Sequence, residues 1–178
     1  MSFRIEDKYL VKEEDKIKIL SFIKNDGFEE KYIKRNITSI YFDNKFLSMF
    51  EDSEEGVTPR KKIRLRFYEN KIENLNFEKK INSQEGKYKI SNKLSLNKMN
   101  FYINNGYYDT SYGNCYPLLE VNYDRFYFQK NNCRITLDFN INFRHFIYEN
   151  FKFNEYFLIL EVKLLNKYKI PPELENLP

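Results

Sequence analysis

Short runs recur along this chain in which charged residues, rather than apolar ones, keep a strict two-residue rhythm. Lys62, Arg64 and Arg66 alternate with Ile63, Leu65 and Phe67. The same rhythm runs through Arg4 to Lys8, Phe77 to Lys80, Lys87 to Lys89, Arg134 to Asp138 and Glu161 to Lys163. A strand sends residues i and i+2 to one face, so each run builds a charged row backed by an apolar one. A strand half exposed to water explains any single run. The set is harder to explain that way, because Arg, Lys and isolated Glu dominate it where Thr, Ser, Gln and Asn would normally be mixed in. If such rows converge, like charges repel at low dielectric and an anion is needed among them. Phosphates are the natural candidates, with the glutamates available to hold a divalent metal that bridges them.

The pattern predicts a strand over residues 3 to 11. A helix then opens at Lys12-Glu13-Glu14-Asp15, carries Ile17, Ile19, Leu20, Phe22 and Ile23, and ends near Gly27. A short strand is predicted at Thr38 to Asp43, with Asn44 capping a brief helix around 45 to 50 and the acidic stretch from Glu51 to Gly56 forming a loop. Strands follow at about 60 to 68, 73 to 81 and 86 to 90, and a helix within 92 to 105. A hairpin of strands 117 to 129 and 132 to 141 turns at Lys130-Asn131-Asn132, and a last strand covers 156 to 165. About eight antiparallel strands with a few outer helices predict an α+β, mainly β fold: a barrel or strongly curved sheet.

The orientation of the charges is left open by periodicity. In a lipocalin-like barrel the apolar rows Ile63/Leu65/Phe67, Ile135/Leu137/Phe139 and Leu160/Val162/Leu164 line the interior. In a polar tunnel the charged rows do, and the helices after residues 12 and 92 cover the apolar faces.

Composition narrows the classes. At 178 residues one domain is expected, with a core of Phe, Tyr, Ile and Leu, since alanine and tryptophan are absent. Charged residues make up 31% and nearly cancel to +4, which is not the block-basic profile of a sequence-independent nucleic-acid binder. Cys115 and Cys133 have neither CxxC spacing nor paired histidines, so no zinc site or disulfide framework is indicated. The N-terminus has no apolar leader, and no segment approaches the roughly 18 apolar residues of a membrane span. A cytoplasmic protein is expected; the sequence identifies no membrane partner.

The ordered pieces Arg4-x-Glu6-x-Lys8-Tyr9, Ser39-Ile40-Tyr41-Phe42-Asp43, Lys62-x-Arg64-x-Arg66-x-Tyr68, Phe77-Glu78-x-Lys80, Lys87-x-Lys89, Tyr123-x-Arg125, Arg134-Ile135-Thr136-Leu137-Asp138 and Leu160-Glu161-Val162-Lys163 resemble the VTC domain of polyphosphate polymerases. That family is a branch of the triphosphate tunnel metalloenzymes, the CYTH-like superfamily. Each piece is weak alone; their order across residues 4 to 163 is specific.

The resemblance implies an eight-stranded antiparallel tunnel with a charged interior, spanning 1–178 as a single domain. Lys8, Arg64, Arg66, Lys80, Lys89, Arg125 and Arg134 look like the phosphate-binding set, with Lys62, Lys87 and Lys163 beside them. Arg64, Arg66, Arg134, Lys80 and Glu161 carry the implied catalysis. Glu161 looks like the principal ligand for Mn²⁺ or Mg²⁺, with Glu6 and Glu78 secondary. Ser39, Tyr41 and Asp43 are expected to shape a strand and its turn, Tyr123 to pack beside phosphate, and Asp138 to orient Arg134 or contact metal. His145, the only histidine, receives no role.

The implied activity is transfer of the ATP γ-phosphate to a growing inorganic polyphosphate, with ATP and polyphosphate as partners and no nucleic acid. Triphosphate hydrolysis, and a non-catalytic sensor of polyphosphate or an inositol phosphate, are the alternatives. Cyclisation of ATP and single-stranded RNA binding are more distant. Arg4 stands where the hydrolase branch has the first Glu of ExExK, which fits the polymerase branch. The family continues into a C-terminal helix with a Ser-Lys-Tyr-like motif, and this chain is expected to lack it.

Overall fold

The computed structural model describes residues 4–69, 71–148 and 150–165. The expectation about the C-terminal helix therefore falls outside the described residues. In chain order the elements are β1 (Arg4–Lys12), a 3-10 turn at Glu13–Asp15, α1 (Lys16–Asn25), β2 (Glu29–Asp43), α2 (Ser48–Glu54), β3 (Arg60–Tyr68), β4 (Lys71–Ser83) and β5 (Gly86–Lys93). There follow α3 (Leu96–Asn105), β6 (Tyr107–Asp109), β7 (Gly113–Lys130), β8 (Cys133–His145), β9 (Lys152–Asn154) and β10 (Phe157–Leu165). The strands hydrogen-bond in the order β1-β10-β8-β7-β2-β3-β4-β5, with the short β6 on β7 and β9 on β8. The β1–β10, β10–β8, β2–β3, β3–β4 and β4–β5 pairs are antiparallel. The fold is α+β and mainly β, as the alternation predicts.

Two compact units divide the chain. The described residues of the first are 4–36, 123–141 and 154–165. Its core gathers Ile135, Leu137 and Phe139 of β8 with Leu158, Leu160, Val162 and Leu164 of β10. Ile19 and Ile23 of α1, one helical turn apart, close onto that apolar face. Both are almost fully buried, worth about 2 kcal/mol each. An aspartate at Ile23 would put an unpaired charge into this layer and undo it.

The second unit comprises residues 37–122 and 142–153. Ile40, Phe42, Ile63, Leu65, Leu75 and Phe77 form its apolar sheet face, covered by Met49 of α2 and by Met99, Tyr102 and Ile103 of α3. Ser95 caps α3, its hydroxyl accepting from the Lys98 amide at 3.4 Å. The Phe77, Tyr102 and Tyr107 rings pack with centroids 4.9 to 5.4 Å apart. Gly106, which ends α3 at φ +78°, is required there: a Cβ would sit 2.7 Å from the Cys115 carbonyl oxygen.

In each unit helices cover the apolar rows. An apolar, lipocalin-like interior is thereby excluded for these rows, and the charged rows occupy the other face.

The short strands β6 and β9 are unpredicted and α1 begins at Lys16 rather than Lys12; two further departures from the pattern-based expectation have a clear physical cause. β2 begins at Glu29, nine residues before the predicted strand, although Glu29 to Lys34 are all exposed. No apolar alternation marks this half, because main-chain pairing rather than burial sustains it. The acidic stretch is helical: α2 covers Ser48–Glu54 instead of 45 to 50. Its start is fixed by Asp43, whose carboxylate accepts from the amides of Asn44 (2.8 Å), Met49 (3.0 Å) and Phe50 (3.0 Å). Asn44 accepts from the Phe46 and Ser48 amides, so the cap precedes the helix by a loop.

Candidate functional site

The charged row of the second unit is built by cross-strand register. Tyr41 lies opposite Arg64 and Ser39 opposite Arg66; Arg64 in turn faces Glu78, Lys62 faces Lys80, and Lys80 faces Lys89. Arg64, Arg66 and Glu78 are 7%, 8% and 2% exposed, so this is no ordinary solvated face. Arg64 donates from Nε and Nη2 to Glu78 Oε2 (2.8 and 2.6 Å) and from Nη1 to the Tyr41 hydroxyl (3.0 Å). Arg66 Nε donates to Ser39 Oγ at 3.1 Å. Lys89 Nζ reaches Glu78 Oε1 at 2.6 Å. Lys62, Lys80, Lys87 and Lys89 are exposed.

This network sets the local acidities. Burial opposes ionisation of Glu78, but Arg64 and Lys89 outweigh it and bring the carboxyl down to about 2. Burial also opposes ionisation of Tyr41, and the nearby charges of Arg64, Arg66 and Lys62 more than reverse it, lowering the phenol below its ordinary value. Both oxygens of Glu78 are committed to cations, so a metal there would have to displace Arg64 or Lys89.

The first unit carries the other charged row. Across β1, β10 and β8, Lys8 pairs with Glu161 and Glu161 with Thr136, while Glu6 pairs with Lys163 and Lys163 with Arg134. Glu161 is buried. Lys163 Nζ lies 2.7 Å from Glu161 Oε1 and 3.6 Å from Glu6 Oε2, and the Thr136 hydroxyl donates to Glu161 Oε2 at 3.4 Å. Arg125 Nη2 stands 4.0 Å from Glu161 Oε2. Burial disfavours the Glu161 anion, yet its bond to Glu6 and the charge of Lys163 lower it to about 2. Glu6 moves the opposite way, raised first by its hydrogen bond with Glu161 and then by burial. Glu6 and Glu161, both beside the Lys163 ammonium, are also two oxygen donors that a divalent cation would bind. Among the described residues no cluster of three or more such ligands occurs, so other donors would come from phosphate and water.

Asp138 binds Arg125 and not Arg134. Arg125 Nη2 donates to Asp138 Oδ2 at 2.5 Å, and Nε donates to Oδ1. The fork fixes the plane of the guanidinium. Arg134 is exposed and, among the described residues, makes no ion pair. The sequence-derived candidates thus fall into two groups, one in each unit. Sequence reasoning did not foresee the hydroxyl partners Tyr41 and Thr136 or the carboxylate clamp on Arg125. A two-residue loop at Asn131-Asn132 would have counted Arg125 onto Asp138.

The fold recurs among solved structures of low sequence identity. A candidate adenylate cyclase from Bacillus halodurans superposes with a TM-score of 0.61 at 14% identity, covering 90% of this chain and 80% of its own. A candidate adenylate cyclase from Vibrio parahaemolyticus gives 0.59 at 15% identity, covering 94% and 78%. A candidate adenylyl cyclase from Hippeastrum, described as having a dominant triphosphatase activity, gives 0.55 at 11% identity, covering 98% and 82%. No curated protein sequence matches the chain. The VTC domain family matches residues 3–112 and 104–178, and the chain belongs to that family. Among the described residues no helix is long and apolar enough to cross a membrane.

Proposed function

We propose that this chain is a single polyphosphate polymerase domain that transfers the γ-phosphoryl group of ATP to a growing inorganic polyphosphate in the cytoplasm. The observation that carries the reading is the pair of clamped guanidiniums, buried Arg64 held by Glu78 and half-buried Arg125 held by Asp138, on sheet faces opposite the helix-covered cores of a VTC-family chain. Such groups are set for phosphate before it arrives, so they cost little ordering when it binds.

Arg64 and Arg66, with Lys62, Lys80, Lys87 and Lys89 around them, bind phosphate oxygens; Lys8, Arg125, Arg134 and Lys163 do so in the first unit. Glu161 with Glu6 would hold Mn²⁺ or Mg²⁺, an all-oxygen donor set that suits a hard cation bound partly through substrate phosphates. Bound there, the metal supplies charge neutralisation of the triphosphate. A terminal oxygen of the chain forms the new bond to the γ-phosphorus while the bond to the β-phosphate oxygen breaks and ADP leaves. The basic side chains stabilise charge on the equatorial oxygens. No protein base is required, because the attacking phosphate is already anionic near neutral pH.

Incubation with ATP and Mn²⁺, read by gel for polymer and by colorimetry for phosphate, tests the reading. Long polymer is expected, abolished by Arg64→Ala and by Glu161→Ala with the fold retained. Phosphate without polymer would replace the reading with triphosphate hydrolysis, the activity described for the Hippeastrum protein of the same fold. Tight polyphosphate binding without turnover would replace it with a sensor.

A further inference from the structure

Beyond Arg125 the charged face of the first unit continues into a ladder of alternating rings and guanidiniums. Tyr123, Arg125 and Tyr127 follow one another at spacing two on β7, so they share a face. The Arg125 guanidinium lies 5.1 Å from the Tyr123 ring centre and 5.9 Å from that of Tyr127. Arg35 of β2 lies 5.9 Å from the same Tyr127 ring and 4.2 Å from the ring of Tyr32, which meets Tyr127 edge to face at 5.5 Å and 88°.

Arg35 differs from its neighbours on β2. Lys31 donates to Gln129, and Lys34 pairs with Asp124 at 3.5 Å. Among the described residues Arg35, half buried, has no hydrogen bond or ion pair, only its ring contacts. Stacking engages the flat face of a guanidinium and leaves its in-plane donors unused, which is the arrangement for gripping phosphate oxygens. The rings hold the cation in place without neutralising it, as a carboxylate would.

Resting on the polymerase reading, we propose that Arg35 is a chain-length-determining residue: it binds phosphates of an inorganic polyphosphate that extend past the Arg125 position, and a compact triphosphate does not reach it. Arg125 belongs to the phosphate-binding group already described, whereas Arg35 lies one ring further on. Its site therefore takes the same chemistry, a phosphodianhydride chain, at additional length.

The test is binding of the full chain, at fixed ionic strength, to inorganic tripolyphosphate, to long-chain polyphosphate and to a single-stranded RNA oligonucleotide. Arg35→Ala is expected to weaken long-chain binding about tenfold and leave tripolyphosphate unchanged. Arg35→Lys should recover only part of the loss, because an ammonium lacks the fork. Lys31→Ala, removing the same charge from the same strand, should change neither ligand. Equal loss for both phosphate ligands, equal loss in Lys31→Ala, no loss at all, or a loss confined to RNA would each overturn the inference. Wild-type protein that binds neither phosphate ligand would refute the polymerase reading itself, and the inference with it.

Discussion

Replacing Glu78 with Gln should destabilise the protein by about 2 to 3 kcal/mol at neutral pH. Removing one partner of a buried pair costs about 3 to 5 kcal/mol, because the remaining charge is stranded. Here Gln keeps the volume and one acceptor, Tyr41 keeps its bond to Arg64, and Lys89, half exposed, turns to water, so the cost falls at or just below the lower end of that range. Linkage gives a similar size. The Glu78 carboxyl falls from 4.5 to about 2 on folding, worth about 3 kcal/mol at 1.36 per unit and about 2 after screening through its exposed partner. A lowered folded value means that the stabilisation is complete above pH 4.5 and is lost as pH falls from there toward 2. Urea unfolding of wild type and Glu78→Gln at neutral pH and again near pH 3 measures both parts. The gap should be widest at neutral pH and shrink in acid. A neutral-pH gap under about 1 kcal/mol, or one that ignores pH, would refute the account of Glu78 as the clamp on Arg64.

Three further substitutions probe the scaffold. Asp43→Ala removes the acceptor of three backbone amides and should cost about 2 kcal/mol, read as a lower urea midpoint with loss of helical signal from α2. Gly106→Ala forces a Cβ against the Cys115 carbonyl at positive φ and should cost about 2 kcal/mol or more by the same assay. Gly27→Ala, also at φ +78° but with open space, should cost only about 1. In a double-mutant cycle, Asp138→Asn and Arg125→Met should couple by more than about 1 kcal/mol, whereas Asp138→Asn and Arg134→Met should add independently.

How much of this was legible depended on what each residue is held by. Ile63, Leu65 and Phe67 alternate with Lys62, Arg64 and Arg66 because one face of β3 is apolar and the other charged, and that periodicity survives in the sequence. Glu29 to Lys34 carry no such record, since both faces are exposed, so the first half of β2 and Arg35 within it went unread. Face assignment also says nothing about partners. Arg125 and Arg134 both lie within reach of Asp138 by pattern alone, and only the pairing across the hairpin chooses between them. Asp43 read as a turn residue, correctly, but the length of helix it would organise depended on amides six and seven residues further on.

The lowered pKa values of Glu78 and Glu161 have a consequence for how the protein meets its surroundings. Glu78 and Glu161 sit near 2, so across the range in which cells live they are permanent charges, and the basic side chains beside Glu78 never lose their counterweight. A terminal phosphate, by contrast, gives up its second proton at about pH 6. Through mild acidification the frame around Arg64 therefore stays electrically constant, so on the proposed function any change in affinity there would follow the ionisation of the phosphate ligand and not that of the protein.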